Sequence, residues 1–170
     1  MSNLFERSSA IVSSCGTFRY ELRRVWDDAR PPYVSGMLNP STADADRDDP
    51  TIRRNRRRAE AMGFGSLIVW NLGAARATEP KVWKTLSDPI GPENDEHIRR
   101  ILQECKDRNG IAIVGWGNHG SFMDRDRIAK LTAKEVGVVF HCLGMTKSGQ
   151  PRHPLYVSSL FSPVLWTISQ

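Results

Sequence analysis

The sequence predicts an α/β fold, a three-layer sandwich around a central, mostly parallel sheet of four to five strands. Two observations carry this. Short apolar runs alternate with amphipathic segments, as βαβ crossovers require, and the apolar runs are continuous enough for strands covered on both faces. A third concerns function. Polar residues gather where those runs end, at Asn39, Asn71, Asn118 and the stretch before His153. Ligands of open parallel sheets bind beyond the carboxyl ends of the strands.

Each element follows from local chemistry. Residues 17–26 begin with alternating apolar and polar side chains and read as an antiparallel or edge strand. Pro31-Pro32 marks a turn, and 33–38 is a more apolar strand that runs into Asn39-Pro40-Ser41-Thr42. Asp48-Asp49-Pro50 opens a helix over 51–62, with an acidic cap, proline at the first position, and Gly63 to close it. Residues 66–71 form a buried strand, followed by an Ala- and Arg-rich loop and a short helix near 82–86. A second long helix begins after Gly91-Pro92, with Ile98, Ile101, Leu102 and Cys105 as its apolar stripe. Residues 111–116 are a third buried strand. A helix over 121–135, a strand over 136–142 and a final loop with an extended piece at 155–157 complete the chain. Residues 1–170 form a single domain, with 1–16 expected as a loosely ordered segment.

Composition narrows the function classes. The chain has 170 residues, enough to bury a substantial core. It contains no apolar run of the roughly 18 residues that a membrane span needs, and its first residues do not resemble a secretory signal. Cys15, Cys105 and Cys142 are odd in number and far apart, which favours reduced thiols and a cytoplasmic protein. No metal-ligand spacing accompanies them, so neither a metal nor an organic cofactor is expected. The net charge of +5 favours an anionic partner, DNA foremost, and no membrane.

Four segments share one pattern: 37–42 (Met-Leu-Asn-Pro-Ser-Thr), 67–72 (Leu-Ile-Val-Trp-Asn-Leu), 111–118 (Ile-Ala-Ile-Val-Gly-Trp-Gly-Asn) and 152–156 (Arg-His-Pro-Leu-Tyr). Their order and spacing resemble the uracil-DNA glycosylase superfamily. Over nearly its whole length the chain also resembles DUF1643, a family of small bacterial and phage proteins. Leu38-Asn39-Pro40-Ser41-Thr42-Ala43-Asp44, Asp49-Pro50-Thr51 and Arg152-His153-Pro154-Leu155 carry that likeness. Ser41 stands where the glycosylase loop often has glycine, and Asn39 where its most active branch has an aspartate.

The glycosylase resemblance implies an enzyme that hydrolyses the N-glycosidic bond of an unusual or modified base in DNA, in genome repair or phage defence. Asn39, or Asp44 if its loop folds back, would hold the attacking water. His153 would stabilise the leaving base, and Asn71 would read its edge. Pro40, Ser41, Thr42, Asn118 and Pro154 would shape the pocket. Leu155 or Tyr156 would fill the gap left by the extruded base, and Arg152 would meet a phosphate. Arg53, Arg54 and Arg57 share a helix face that could track a DNA backbone. They also fit a solvated face paired with Asp46, Asp48, Asp49 and Glu60. Asp48 and Asp49 read as helix caps rather than as a calcium loop, because the required glycine and distant glutamate are missing. Two alternatives stay open: a nucleoside or nucleotide hydrolase, and a non-catalytic nucleic-acid binding module.

Overall fold

The computed structural model describes residues 6–41 and 43–167. Among these residues seven strands form one sheet: β1 (Arg7–Val12), β2 (Arg19–Val25), β3 (Pro32–Met37), β4 (Ser66–Asn71), β5 (Ile111–Val114), β6 (Phe140–Cys142) and β7 (Val164–Leu165). Their spatial order is β1-β2-β4-β3-β5-β6-β7. The four inner strands β4, β3, β5 and β6 are mutually parallel, and β1, β2 and β7 join antiparallel at the two sides. The expected four to five strands are therefore exceeded by the edges. Residues 7–12, expected to be loose, form a strand through pairing with β2, and the described part of the C-terminal segment adds β7.

Among the described residues four α-helices accompany the sheet: α1 (Pro50–Ala61), α2 (Pro80–Trp83), α3 (Asn94–Asp107) and α4 (Arg125–Val136). Side-chain alternation along each strand divides the core in two. Val34, Ile68, Trp70, Ala112 and Val114 pack with Ile98, Ile101 and Leu102 of α3 and with Ala129 and Ala133 of α4. Tyr33, Met37, Leu67, Val69 and Ile113 pack on the opposite face with Ile52 and Ala59 of α1. Each fully buried large aliphatic side chain contributes about 1.5–3 kcal/mol. The stripe of α3 therefore outweighs the few tenths of a kcal/mol per residue that separate most helix propensities. Gly36 has a steric reason: a Cβ there would lie 2.4 Å from Cζ2 of Trp70, across the strand pair.

Three local expectations change. The helix expected over 121–135 is a 3-10 segment (Gly117–Asp124) followed by α4. Met123 and Asp124, both at φ +55°, break the helical path between them. The strand expected over 136–142 shortens to β6, because α4 continues to Val136 and Gly137 closes it in the left-handed region. Residues 155–157 are not an extended piece. Pro154–Tyr156 form a 3-10 turn capped by His153, whose Nδ1 accepts the Leu155 N–H at 3.2 Å.

Candidate functional site

β3, β4 and β5 run in the same direction and end together, with Met37 paired to Asn71 in register. Parity then sets the side. Leu67, Val69 and Asn71 alternate onto the α1 face of the sheet. A cavity of about 620 Å³ opens there, over Met37, Val69 and Asn71 and beside Ile52 of α1. Its remaining wall comes from Arg19 of β2, the start of α2 and the loops after β3, β4, β5 and β6.

The loop after β3 and the first turn of α1 form one unit. Asn39 donates through Nδ2 to the carbonyls of Ala77 (2.7 Å) and Pro40 (3.1 Å). With its amide nitrogen engaged, its Oδ1 is the atom left to accept a hydrogen bond in the cavity wall. Ser41 Oγ donates to Asp49 Oδ2 at 2.6 Å, and Asp49 Oδ1 caps α1 by accepting the Ile52 N–H at 2.9 Å. Asp49 is thus both the helix cap that the sequence indicates and a carboxylate of the cavity.

Pro40 is buried and structural, its carbonyl also accepting the Ala77 N–H. Thr42 lies outside the described residues. Asp44 requires a correction, because its loop does not fold back to the cavity. Its exposed carboxylate accepts the N–H groups of Asp46 and Arg47, which hold its pKa below the ordinary value.

Asn71 is 2% exposed and lines the cavity. Among the described residues, no group hydrogen-bonds its carboxamide. Because Asn71 lines the cavity, its amide is free to bond a ligand there. Asn118, by contrast, is exposed outside the cavity wall and accepts from Thr146 Oγ1 at 2.6 Å. Its neighbours Gly117 and His119 reach the wall instead. His119 is pushed towards the neutral form by burial and by Lys84 and Lys81.

The loop after β6 brings the histidine. Pro154 is buried against the end of β5, where a Cβ on Gly115 would lie 2.8 Å from Pro154 Cδ. That contact sets His153 into the cavity wall beside Arg152, Leu155 and Tyr156. Burial lowers the His153 pKa, and Asp49 partly opposes the shift. With Nδ1 accepting from Leu155, the neutral ring carries its proton on Nε2. Tyr156 is 77% exposed with its ring 5.6 Å from that of His153.

Arg53, Arg54 and Arg57 lie apart from the cavity wall, in a groove of about 780 Å³ with Arg58 and Phe161. Leu155 lines both spaces. Arg53 donates to the Asp48 carbonyl, Arg54 to that of Val157, and Arg58 to those of Phe161 and Ser158. Arg57 is exposed and has no partner among the described residues. None of the four ion-pairs with a described carboxylate, whereas Arg56 pairs with Glu6 and Glu60.

Two cavity residues escape sequence reasoning. Asp49 is hidden by its capping role, and Arg19 sits in an ordinary-looking strand well before the first motif segment. Trp116 also lines the wall, held by its indole N–H to Gln150 Oε1 at 2.9 Å. Among the described residues no group of three or more His, Cys, Asp or Glu side chains is placed to hold a metal.

The match to known families covers this same frame. A family model described as "Protein of unknown function (DUF1643)" matches residues 19–155, from Arg19 on β2 to Leu155 in the cavity wall. No curated protein and no solved structure matches the chain. With most of the chain covered, including the cavity residues just described except Tyr156, the protein belongs to the DUF1643 family.

Proposed function

We propose that this protein is a DNA glycosylase-like hydrolase that removes an unusual or modified base from DNA. The observation that carries the reading is the meeting of a neutral imidazole donor, a carboxylate and an unpartnered carboxamide in one cavity at the strand ends. Each has a role in breaking an N-glycosidic bond. The C1′–N bond breaks with its electron pair leaving on the base, and the His153 Nε2–H stabilises that charge. Water adds to C1′ of the oxocarbenium-like sugar, oriented by Asn39 Oδ1, and loses its proton to Asp49. Asp49 takes the place expected for Asp44, since an amide such as Asn39 cannot accept that proton. Asn71 presents a donor and an acceptor to the base edge.

The groove beyond Leu155 supports a strand-shaped substrate, because four guanidinium groups without carboxylate partners line it. Leu155 and Tyr156 stand at the cavity wall, where an extruded base would leave a gap. A nucleoside or nucleotide hydrolase is the second reading. It is favoured by the hydrogen bonds that tie Arg53 and Arg54 to backbone carbonyls rather than leaving them free for phosphates.

The test is incubation with DNAs carrying uracil, mismatched thymine or modified cytosines, scored for alkali-labile sites, alongside the free nucleosides. Base release from DNA that falls about 10²–10⁴-fold in His153→Ala supports the proposal. Release from nucleosides alone favours the second reading. Salt-sensitive DNA binding without release from any substrate favours a binding module.

A further inference from the structure

Arg19 opens β2 with its residue 3% exposed, and it lines the cavity. Its surroundings differ from those of Arg24 and Arg125, two of the three other buried arginines. The third, Arg58, also lacks a described carboxylate but donates to the Phe161 and Ser158 carbonyls. Arg24 pairs with Asp48 at 2.7 Å, and Arg125 pairs with Asp95. Among the described residues no carboxylate forms an ion pair with Arg19. Its Nη1 donates to the neutral carbonyl of Ala43, and its buried Nε has no partner. Arg76 reaches the same carbonyl at 3.5 Å, and its Nε is buried and unpartnered too. Two cations therefore converge on one neutral acceptor.

Burying a charge without a counterion is costly, and proteins normally pair it or neutralise it. Burial, then repulsion from Arg76, pulls the Arg19 pKa down to about 10, which still leaves it charged at neutral pH. An anion has a place to come from, because Arg19 lines a cavity and the Asp49 and Asp44 carboxylates act on it only from beyond ion-pair distance. A guanidinium matches the geometry of a phosphate with paired donors.

We infer that Arg19 is an anion site in the cavity and holds the phosphate of the nucleotide being processed. Arg19, Asp49 and His153 line one cavity, with Asp49 near enough to act electrostatically on both of the others. A nucleotide whose phosphate meets Arg19 then has its sugar at Asp49 and its base towards His153 and Asn71. That orientation rests on the base-excising reading; the anion site does not. The phosphate is either a free monoester or the diester of a strand.

Inorganic phosphate is the first probe, read as thermal stability against sodium chloride of equal ionic strength. A saturable rise in Tm of about 3–6 °C at ten times the phosphate Kd is expected, with its loss in Arg19→Gln. No rise above chloride, or an undiminished rise in the variant, overturns the site. If Arg19→Gln does not fold, crystals of the unaltered protein soaked in tungstate decide: density at Arg19 supports the site, and density only elsewhere overturns it. Two base-free competitors then assign the source, 2-deoxyribose 5-phosphate for a monoester and a trinucleotide with a tetrahydrofuran abasic centre for a strand. Phosphate binding without base release from any substrate leaves the anion site standing and removes the enzyme reading. Base release with no phosphate effect does the reverse.

Discussion

The loop from Ala43 to Asp49 is held mainly by guanidinium groups, whereas the loop from Gly144 to Val157 is held mainly by packing and backbone bonds, with one guanidinium, that of Arg54, on the Val157 carbonyl. In the first, Arg19 and Arg76 donate to the Ala43 carbonyl. Arg24 donates to the Asp44 carbonyl at 2.6 Å and pairs with Asp48. In the second, Pro154 packs on Gly115, Gly117 N–H donates to the Pro151 carbonyl at 2.8 Å, and Arg152 N–H to that of Gly144 at 2.9 Å. Val157, 3% exposed, joins the apolar cluster. Both loops deliver one reactive group to the same cavity, Asp49 from the first and His153 from the second. The difference teaches that a carboxylate can be positioned by charges arranged behind its loop. A neutral imidazole is instead placed by steric contact, with burial outweighing the one opposing charge, Asp49, in setting its protonation.

The largest expected effects test whether the loops are equal partners. His153→Ala and Asp49→Asn should each lower base release by about 10²–10⁴-fold, measured under single-turnover conditions. Loss in one variant only would mean that a single loop carries the chemistry. Next is the charge-held loop. Asp48→Asn strips the carboxylate from Arg24, whose side chain is 3% exposed, and should destabilise the fold by about 3 kcal/mol in urea. A change within experimental error would show that Arg24 does not need that partner.

The packing-held loop should break through volume instead. Gly115→Ala forces a methyl group against Pro154 and is expected to cost about 1–3 kcal/mol. Base release should fall further than stability alone explains, because His153 is the residue before Pro154. Full activity in this variant would separate the histidine from the contact proposed to place it.

The smallest effect is in pH. The His153 pKa in the fold lies below its ordinary 6.5, so the unfolded chain binds the proton first as pH falls. The stabilisation is complete above about pH 6.5 and is lost as pH drops through the lower folded value. The Tm difference between the protein and His153→Ala should be flat above pH 6.5 and change only below it. A change confined to alkaline pH would contradict the neutral ring.

Local signals were the legible part. The β4 strand matches its expected residues 66–71, and α1 differs by one residue from 51–62, because an unbroken apolar run and a Pro-headed cap act within a few positions. The family was legible too, as was the gathering of Asn39, Asn71 and His153 at the strand ends. The edge strands β1 and β7 were not, since pairing partners rather than their own pattern make them strands. The break at Met123 and Asp124 rests on backbone angles that neither residue type announces.

What the sequence determined alone was the alternation of strands and helices, the end of the sheet at which polar residues collect, and the cap at Asp49. Those depend on periodicity and near neighbours. Only the tertiary structure decided that Asp49 rather than Asp44 faces the cavity, that Asn118 stays outside it, and that Arg19 joins it without a carboxylate partner. Each of those outcomes depends on which groups distant in the chain meet, and on the charge and space they leave one another.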